Sequence, residues 1–590
     1  MNNRFRMQII ARVLAFFFLV AVVACAAAGP KSDSHAARPG TTSSIESQRD
    51  EGIRLARLGD VAMEAGDLPS ARARFEQSLV IFQKLAEDKL SYSEARRDYS
   101  ISLERLGNVA LLAGDLPYAK ACFELSLRVR QKLAHDSPAS VQAQRDLGSS
   151  LERLGNVALQ VGDLPAARAR FGQSLAIHQR LAQDNPASSK AQRDLGISLE
   201  RAGIVAFQSG DLPAAKTRFE QCLAVFQKLS QDTPSSPEAQ RDVSISLNHL
   251  GDVAFQVGDL PSAKARFEQS LSIRRKLARD TPTSVQAQRD LSLSLNSLGD
   301  VEIQAGDLPS ARSRLEESLA IFRKLAQNEP DSTEAQRDLG LGLNKLGDFA
   351  VKDGDLPTAR SRLEESLAVF QKLAHENPAS AQAQRDLRIS LSKLGDFAVQ
   401  DGDLPTAKAR FEQTLVVVQK LALDHPTSNQ TQRDLGLNLA RLGNVALQAG
   451  DLSTAKARFE QSLATFQTLA RNDPHSAEAQ RDLGASLRRL GSIGVQTHDY
   501  SSAKTRLEES LAIFQTLAQN DPRSAEAQRE LSTSLALLGV AALEAGDHAA
   551  AKAKLDESAR TRERVALSTP LTPSDHRFLE QIAEMLKSLP

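Results

Sequence analysis

Histidine, the side chain that most often serves as a general base or metal ligand near neutral pH, occurs ten times in this sequence. No two histidines stand three to five residues apart, so no helix can present a paired zinc site. The P-loop, the dinucleotide-binding glycine fingerprint and the Gly-x-Ser-x-Gly motif of hydrolases are also missing. We therefore expect a protein that is not an enzyme and that uses no cofactor and no metal.

Cys25 is the residue whose surroundings indicate a chemical modification. Arginines at positions 4, 6 and 12 precede an apolar run, residues 13–28, which is shorter than the about 20 residues that span a bilayer. Basic, then apolar, then small residues are typical of a secretory signal. The signal ends in Val-Val-Ala-Cys, which resembles the lipobox of bacterial lipoproteins.

That resemblance implies a signal peptide over residues 1–24 and a diacylglyceryl group on the Cys25 thiol. Ala26 follows the cysteine in place of aspartate, which by the same resemblance favours an outer-membrane lipoprotein facing the periplasm. Two alternatives stay open: cleavage nearby without lipid, giving a soluble periplasmic or secreted protein, and an uncleaved anchor. Residues 25–44 are small and polar, as in a flexible tether.

The overall composition excludes several classes of partner. Lysine plus arginine equals aspartate plus glutamate at 73 each, so no basic excess indicates nucleic-acid binding. Aromatic residues make up 4% and tryptophan is absent, which argues against stacking platforms for bases. Strong helix formers dominate and predict an all-α fold. Cys122 and Cys222, inside this pattern, are too few for a disulfide scaffold, and we expect buried small side chains.

A Gly-Asp turn recurs every 48 residues and defines the organisation of the chain. Its first position is filled by Gly66, Gly114, Gly162, Gly210, Gly258, Gly306, Gly354, Gly402, Gly450, His498 and Gly546. A period of this size is typical of a solenoid, in which stacked helical hairpins share a core that one hairpin cannot bury alone. We predict eleven units over residues 45–568 and a capping helix over residues 569–590.

Each unit is predicted to contain two helices, as the fifth unit illustrates. Ser236 can cap the first helix and Gly258, in a left-handed conformation, can end it. Asp259 then caps the second helix, which has Pro261 in its first turn. The helix ends before Pro282. The repeated Gly-Asp-Leu-Pro therefore stops one helix and starts the next.

The pattern Leu-x-x-Leu-Gly, then Ala-x-x-x-Phe, then proline resembles the tetratricopeptide repeat. In the fifth unit it is carried by Leu247, Leu250-Gly251, Ala263 and Phe267. The unit of 48 residues is longer than the usual 34, which makes it similar to the kinesin-light-chain-type arrays. The resemblance implies a right-handed α-solenoid that binds proteins or peptides and is not catalytic.

The same resemblance places a concave wall on the first helices and implies that a polar residue after each Leu-Gly can bond an extended peptide. These positions hold Asp60, Asn108, Asn156, Ile204, Asp252, Asp300, Asp348, Asp396, Asn444, Ser492 and Val540. Candidate binding residues are therefore Asn108, Asn156, Asp252, Asp300, Asp348, Asp396 and Asn444. The alternative is that they solvate the helix or bond the neighbouring unit. A second recurrence, Gln-Arg-Asp, predicts a charge network between units.

Two functions remain open at this stage. The first is a protein-binding scaffold in the bacterial cell envelope that takes partners in its groove, without nucleic acid and with membrane attachment only through Cys25. The second is a spacer or assembly element that binds through its ends. Neither the partner nor the oligomeric state follows from the sequence.

Overall fold

The computed structural model describes residues 41–87, 92–378, 380–424, 426, 428–522, 524–567 and 569–589. The predicted signal peptide and Cys25 lie outside these residues. Within them the chain forms 23 α-helices and a short 3₁₀ helix, Val565–Leu567, and no strand. No helix in this part of the chain is long and apolar enough to cross a membrane.

The first 22 helices form eleven hairpins, each made of a first helix with an odd number and a second helix with an even number. Their bounds are α1 Thr41–Glu64, α2 Leu68–Glu87, α3 Tyr92–Leu112, α4 Leu116–Asp136, α5 Val141–Gln160, α6 Leu164–Asp184, α7 Ser189–Gln208, α8 Leu212–Asp232, α9 Pro237–Gln256, α10 Leu260–Asp280, α11 Val285–Ala305, α12 Leu308–Asn328, α13 Thr333–Asp353, α14 Leu356–Glu376, α15 Ala381–Gln400, α16 Leu404–Asp424, α17 Asn429–Gln448, α18 Leu452–Asn472, α19 Ala477–Gln496, α20 Tyr500–Asn520, α21 Ala525–Glu544, α22 His548–Arg564 and α23 Pro573–Lys587.

The helices belong to two compact bodies, divided after Ser150 within α5. In the described part of the N-terminal body, α1 to α4 pack in sequence, each helix on the next. In the C-terminal body, helices from α6 to α23 also pack each on the next. This arrangement of stacked helical hairpins confirms the predicted all-α solenoid fold. The first helix begins at Thr41, so residues 41–44 of the predicted tether are helical.

The turn chemistry predicted for the fifth unit is confirmed. The Ser236 hydroxyl accepts a hydrogen bond from the Ala239 backbone N–H at 3.2 Å, which caps α9. Gly258 follows that helix with a φ of 83°, where a side chain would be strained. The Asp259 carboxylate accepts from the Ser262 backbone N–H at 3.1 Å and caps α10, with Pro261 in its first turn.

The glycine of Leu-Gly is fixed by the side chain that packs on it. Phe267 of α10 is 2% exposed and its ring covers Gly251 of α9. A Cβ placed on Gly251 would lie 2.6 Å from that ring, closer than side chains approach. Ala263, one turn earlier, is fully buried. The small Gly and Ala therefore let the two helices of a hairpin close on the Phe side chain.

A second packing position shows matched exchanges between helices. Phe226 covers Gly196, whereas in the next hairpin Arg274 stands in the Phe place and Ser244 in the Gly place. The Arg274 Nε donates to the Ser244 Oγ at 3.0 Å, and its Nη1 donates to the Asp290 carbonyl at 2.9 Å. The guanidinium is 4% exposed, and these partners satisfy its polar atoms inside the core.

The Gln-Arg-Asp recurrence forms the predicted charge network. In seven units the arginine reaches the aspartate that stands 49 residues later, in the next first helix, as Arg193 does to Asp242 at 2.9 Å. The same pairing joins Arg49–Asp98 and Arg97–Asp146 in the N-terminal body, and Arg241–Asp290, Arg289–Asp338, Arg337–Asp386 and Arg433–Asp482 in the C-terminal body. These pairs tie neighbouring hairpins together.

Helix α23 packs against the last hairpin. Asp575, at its first turn, is 1% exposed and accepts hydrogen bonds from Arg529 of α21 and Arg562 of α22. Ile582 is buried against the hairpin, whereas Glu580 and Glu584 point to solvent. The helix thus presents a polar face outward, as a terminal repeat requires.

Candidate functional site

The predicted binding residues of the C-terminal body lie on first helices beside a row of apolar side chains. The row holds Leu159, Phe207, Phe255, Ile303, Val351, Val399 and Leu447, one from each of the first helices α5 to α17, and all are half-buried. The polar column beside it holds Asn156, Asp252, Asp300, Asp348, Asp396 and Asn444. We call these two sets the first-helix face.

Three carboxylates of the first-helix face bond the next hairpin. Lys345 Nζ lies 2.5 Å from the Asp300 carboxylate, and Arg441 donates to both oxygens of Asp396 at 3.0 and 3.1 Å. Lys393 bonds Asp348 in the same way. The contacts join α11, α13, α15 and α17 into one continuous surface. They match the sequence alternative in which these residues bond the neighbouring unit, although the three carboxylates stay 41–51% exposed.

Asp252 differs from these three carboxylates because the corresponding position of the next hairpin is Ser297 rather than a basic residue. Its contact is His249 of the same helix, at 3.8 Å. His249 also approaches Glu200 at 3.4 Å and stacks on the Phe219 ring, with centroids 4.7 Å apart. Burial lowers the pKa of His249, but the contacts with Asp252 and Glu200 outweigh it and raise the pKa to about 9.

The N-terminal body repeats the same arrangement around its own column residues. Arg105 of α3 donates to both carboxylate oxygens of Asp60 in α1, at 3.0 and 2.9 Å. Its guanidinium also lies 5.9 Å from the centre of the Phe75 ring. Asn108 lies half-buried one turn after Arg105. A basic residue three positions before the column, as in Arg105, Lys345, Lys393 and Arg441, therefore has a structural role that the sequence analysis missed.

Asn344 and Ser392, on α13 and α15, stand four residues before Asp348 and Asp396. Asn344 is 3% exposed, and neither of its amide atoms has a hydrogen-bond partner among the described residues. The Ser392 hydroxyl is also buried and also has no hydrogen-bond partner among the described residues. Unsatisfied buried polar groups cost free energy. The contacts of these two side chains within the protein therefore do not explain why the positions are polar.

A buried cluster near the start of the C-terminal body contains the residue types of a hydrolase triad. His178 Nδ1 lies 2.7 Å from the Ser198 hydroxyl and 3.5 Å from the Glu152 carboxylate. In a working triad the serine and the carboxylate bond opposite ring nitrogens, whereas here both lie at Nδ1 and Nε2 is buried without a partner. His178 is 2% exposed, so substrate cannot reach it. The cluster has neither the geometry nor the access for catalysis.

The cluster instead holds two first helices together. Ser198 donates to Glu152 at 2.6 Å, which links α7 to α5 within the C-terminal body. Burial raises the pKa of Glu152, but the bonds with His178 and Ser198 outweigh it and lower the pKa. The partners stand 26 and 46 residues from Glu152, so only the stacking register brings them together.

Cys122 and Cys222 are buried, as the sequence predicts. Burial raises the pKa of each thiol to about 12, which keeps it protonated and unreactive. Within the described residues, no group of three histidine, cysteine or acidic side chains could hold a metal ion.

Two stretches match the tetratricopeptide repeat family: residues 242–324 match one model of the repeat and residues 440–494 match another. These two stretches are therefore similar to tetratricopeptide repeats, in agreement with the resemblance of the motif. Among curated proteins, none matches this sequence.

Solved structures that resemble the chain include three helical proteins. BtubC (BKLC) from P. vanneervenii is 22% identical, with coverage of 45% of this chain and 94% of that one and a TM-score of 0.36. Yeast Tom70 is 10% identical, with coverage of 92% and 96% and a TM-score of 0.38. A Rap protein complexed with competence and sporulation factor is 12% identical, with coverage of 73% and 99% and a TM-score of 0.38. At such low similarity, the function has to be argued from this chain's own residues.

Proposed function

We propose that this protein is a non-catalytic interaction scaffold that binds extended peptide segments of other proteins on its first-helix face. The observation that supports this most is the half-buried apolar row, Leu159 to Leu447, which runs in register across successive first helices. Cross-hairpin ion pairs hold the helices of this row in a fixed spacing. A preformed surface of this kind suits peptide side chains that recur along an extended backbone.

The ligand that fits the surface carries apolar anchors and a basic residue. Asp300, Asp348 and Asp396 are already neutralised by lysine or arginine. Asp252 is 46% exposed and shares the single positive charge of His249 with Glu200, so it is the column carboxylate best placed to accept a basic side chain. Phe255, one turn later on α9, lies beside it for an apolar anchor.

The test is selection of peptides from a displayed random library, followed by affinity measurement. We expect the selected peptides to share spaced apolar residues, and Phe255→Ser with Val399→Ser to weaken them at least tenfold. The matched control changes their exposed neighbours, Gln256→Ser with Gln400→Ser, and keeps the affinity. Equal binding by both variants, each helical by circular dichroism, would show that the first-helix face does not bind the peptides.

A second candidate, an assembly element that binds through an end, is favoured by the exposed face of α1. Leu58 and Val61 are 40% and 62% exposed, whereas their counterparts Leu106 and Val109 are 1% and 2% exposed beneath a preceding hairpin. Loss of an assembly partner on Leu58→Asp with Val61→Asp, with peptide binding retained, would favour this candidate.

The proposal includes export to the bacterial envelope and lipid attachment at Cys25, supported by the lipobox-like sequence alone. Cys25→Ala then releases the protein from membranes, because the proposed lipid on this thiol is the attachment. Sedimentation of the variant with membranes after a carbonate wash would contradict the lipid attachment and leave the peptide-binding proposal intact.

A further inference from the structure

A cavity of about 610 Å³ lies between the second helices α10 and α12, with the first helix α11 beneath it. We call it the second-helix groove. Its floor is apolar, from Leu271, Leu291 and Leu298. Its walls are charged, with Arg275 and Arg279 on α10 and Arg314 and Glu317 on α12, which are among its lining residues. Its size falls in the range of ligand-binding pockets.

Arg314 lacks the hydrogen bond that six of the eight other arginines at its repeat position make to the residue three places later. Arg266 and Arg458, at the same position of other hairpins, each donate to a glutamine three residues later, at 3.4 and 3.2 Å. In α12 that position is Glu317, which instead bonds Arg275 of α10 through both oxygens at 2.9 and 2.7 Å. No hydrogen bond of Arg314 is present among the described residues, and its Nε is buried without a partner.

Glu302 of α11 is a single departure from the repeat at this point. Its position is alanine in nine of the other units and glycine in the tenth. The Glu302 side chain is 2% exposed, and one carboxylate oxygen has no partner. The other oxygen lies 3.8 Å from the Arg314 Nε. A buried carboxylate in place of alanine costs free energy, and it lies against the arginine that lacks its usual bond.

We propose that the second-helix groove is a binding site for an acidic peptide segment, in which a ligand carboxylate bonds Arg314 while a neighbouring apolar side chain packs on Leu271 and Leu291. Glu302 holds the Nε edge of the guanidinium and leaves its two Nη groups to the ligand. This site does not depend on the first-helix face.

The two Nη groups of Arg314, which have no hydrogen-bond partner among the described residues, favour an anion over a cation at this point of the groove. Arg275 and Glu317 neutralise each other, and Glu302 lies at the Nε edge of Arg314, which leaves Arg279 against Glu268 among the lining residues. A carboxylate matches the planar guanidinium in a paired geometry that a neutral amide cannot reproduce. The apolar floor then requires an adjacent side chain such as leucine, which a free inorganic anion lacks.

The test uses two rhodamine-labelled probes, the peptide amides Leu-Glu-Leu-Glu-Leu and Leu-Gln-Leu-Gln-Leu, with fluorescence anisotropy on the whole chain. We expect the Glu probe to bind about tenfold more tightly than the Gln probe. Arg314→Gln abolishes this preference. The matched control Arg458→Gln removes the arginine of the same repeat position in another hairpin and keeps the preference.

Two results would overturn the site: equal binding of the two probes to the wild-type chain, or an unchanged Glu preference in Arg314→Gln. Val399→Ser, altered on the first-helix face, keeps the Glu preference, so failure of the proposed function leaves this test unaffected.

Discussion

The turn between α19 and α20 contains His498 where ten other units have glycine. His498 has a φ of 59°, and among the described residues no other non-glycine has a positive φ. The left-handed conformation costs an ordinary residue about 1–2 kcal/mol. Glycine avoids that cost, but its greater conformational freedom in the unfolded chain lowers the stability of the fold by about 0.5–1 kcal/mol.

We therefore expect His498→Gly to raise the free energy of unfolding by about 0.5–1 kcal/mol. Hydrogen exchange of the α19–α20 amides is the measurement, because a repeat array opens locally. Gly450→Ala, the opposite exchange at the same turn position, lowers stability by a similar amount. A destabilised His498→Gly chain would show that the His498–Tyr500 contact at 2.7 Å outweighs the backbone strain.

His249 makes a pH-dependent contribution to stability. Its pKa rises from about 6.5 in the unfolded chain to about 9 in the folded one. A raised pKa stabilises the fold fully below about pH 6.5, and the stabilisation is lost as the pH rises through about 9. The amount is about 3 kcal/mol.

Urea unfolding followed at α9, at pH 6 and pH 9.5, measures this difference in His249→Ser against the wild-type chain. We expect the pH dependence to shrink in His249→Ser and to stay unchanged in His475→Ser, which alters an exposed histidine of a turn. An equal pH dependence in all three chains would show that the Glu200 and Asp252 contacts do not hold the proton.

At the residue scale, the sequence predicts local chemistry better than chemistry between hairpins. The caps at Ser236, Gly258 and Asp259 are confirmed because each involves residues within three or four positions. The Asp348–Lys393 bond was not specified, because its partners stand 45 residues apart and meet only through the stacking register. Comparing the acidic residues after Leu-Gly with the residues three positions before them would have revealed acidic and basic side chains on the same helix face.

At the scale of paired helices, the Leu-Gly glycine decides how closely a hairpin closes. Gly251→Ala places a Cβ 2.6 Å from the Phe267 ring, which is itself packed on all sides. The overpacking costs about 1–3 kcal/mol and outweighs the about 1 kcal/mol that alanine gains in a helix. We expect net destabilisation of hairpin α9–α10.

Gly299→Ala is the matched comparison, because its Cβ would lie 3.1 Å from the flexible end of Leu315. We expect this change to be close to neutral. Thermal and urea unfolding of both variants test the difference. Equal destabilisation by the two changes would mean that the Phe ring is not what requires glycine.

The packing of helices also reveals a feature that the repeat pattern does not predict. The periodic pattern predicts eleven similar hairpins, and the described helices have that order. Glu302 was visible in the sequence as the one acidic residue in a column of alanines, but its significance depends on Arg314 and the second-helix groove. Those features arise where α10 and α12 face each other across α11, and no spacing within one helix indicates them.

At the scale of the whole molecule, helix α23 ends the array. The bond with Arg529 holds the pKa of Asp575 well below its usual range, aided by Thr572 and Arg562. Asp575→Ala leaves two arginines without their buried partner, which costs about 3–5 kcal/mol in such sites. We expect α23 to detach and the apolar residues beneath it to drive concentration-dependent self-association.

Hydrogen exchange of α23 and sedimentation velocity measure both effects. Glu580→Ala, on the solvent side of the same helix, stays protected and keeps its sedimentation coefficient. Protection of α23 at the wild-type level in Asp575→Ala would show that Ile582 alone holds the helix.

The central claim is that partners bind the first-helix face, and site-specific photo-crosslinking in the host cell tests it most directly. The photoreactive residue p-benzoylphenylalanine replaces Val351 on that face in one chain and Gln371, exposed on a second helix, in another. We expect crosslinked partners at Val351 and few at Gln371. Crosslinks at Gln371 with none at Val351 would contradict binding on the first-helix face and place partners on the second helices.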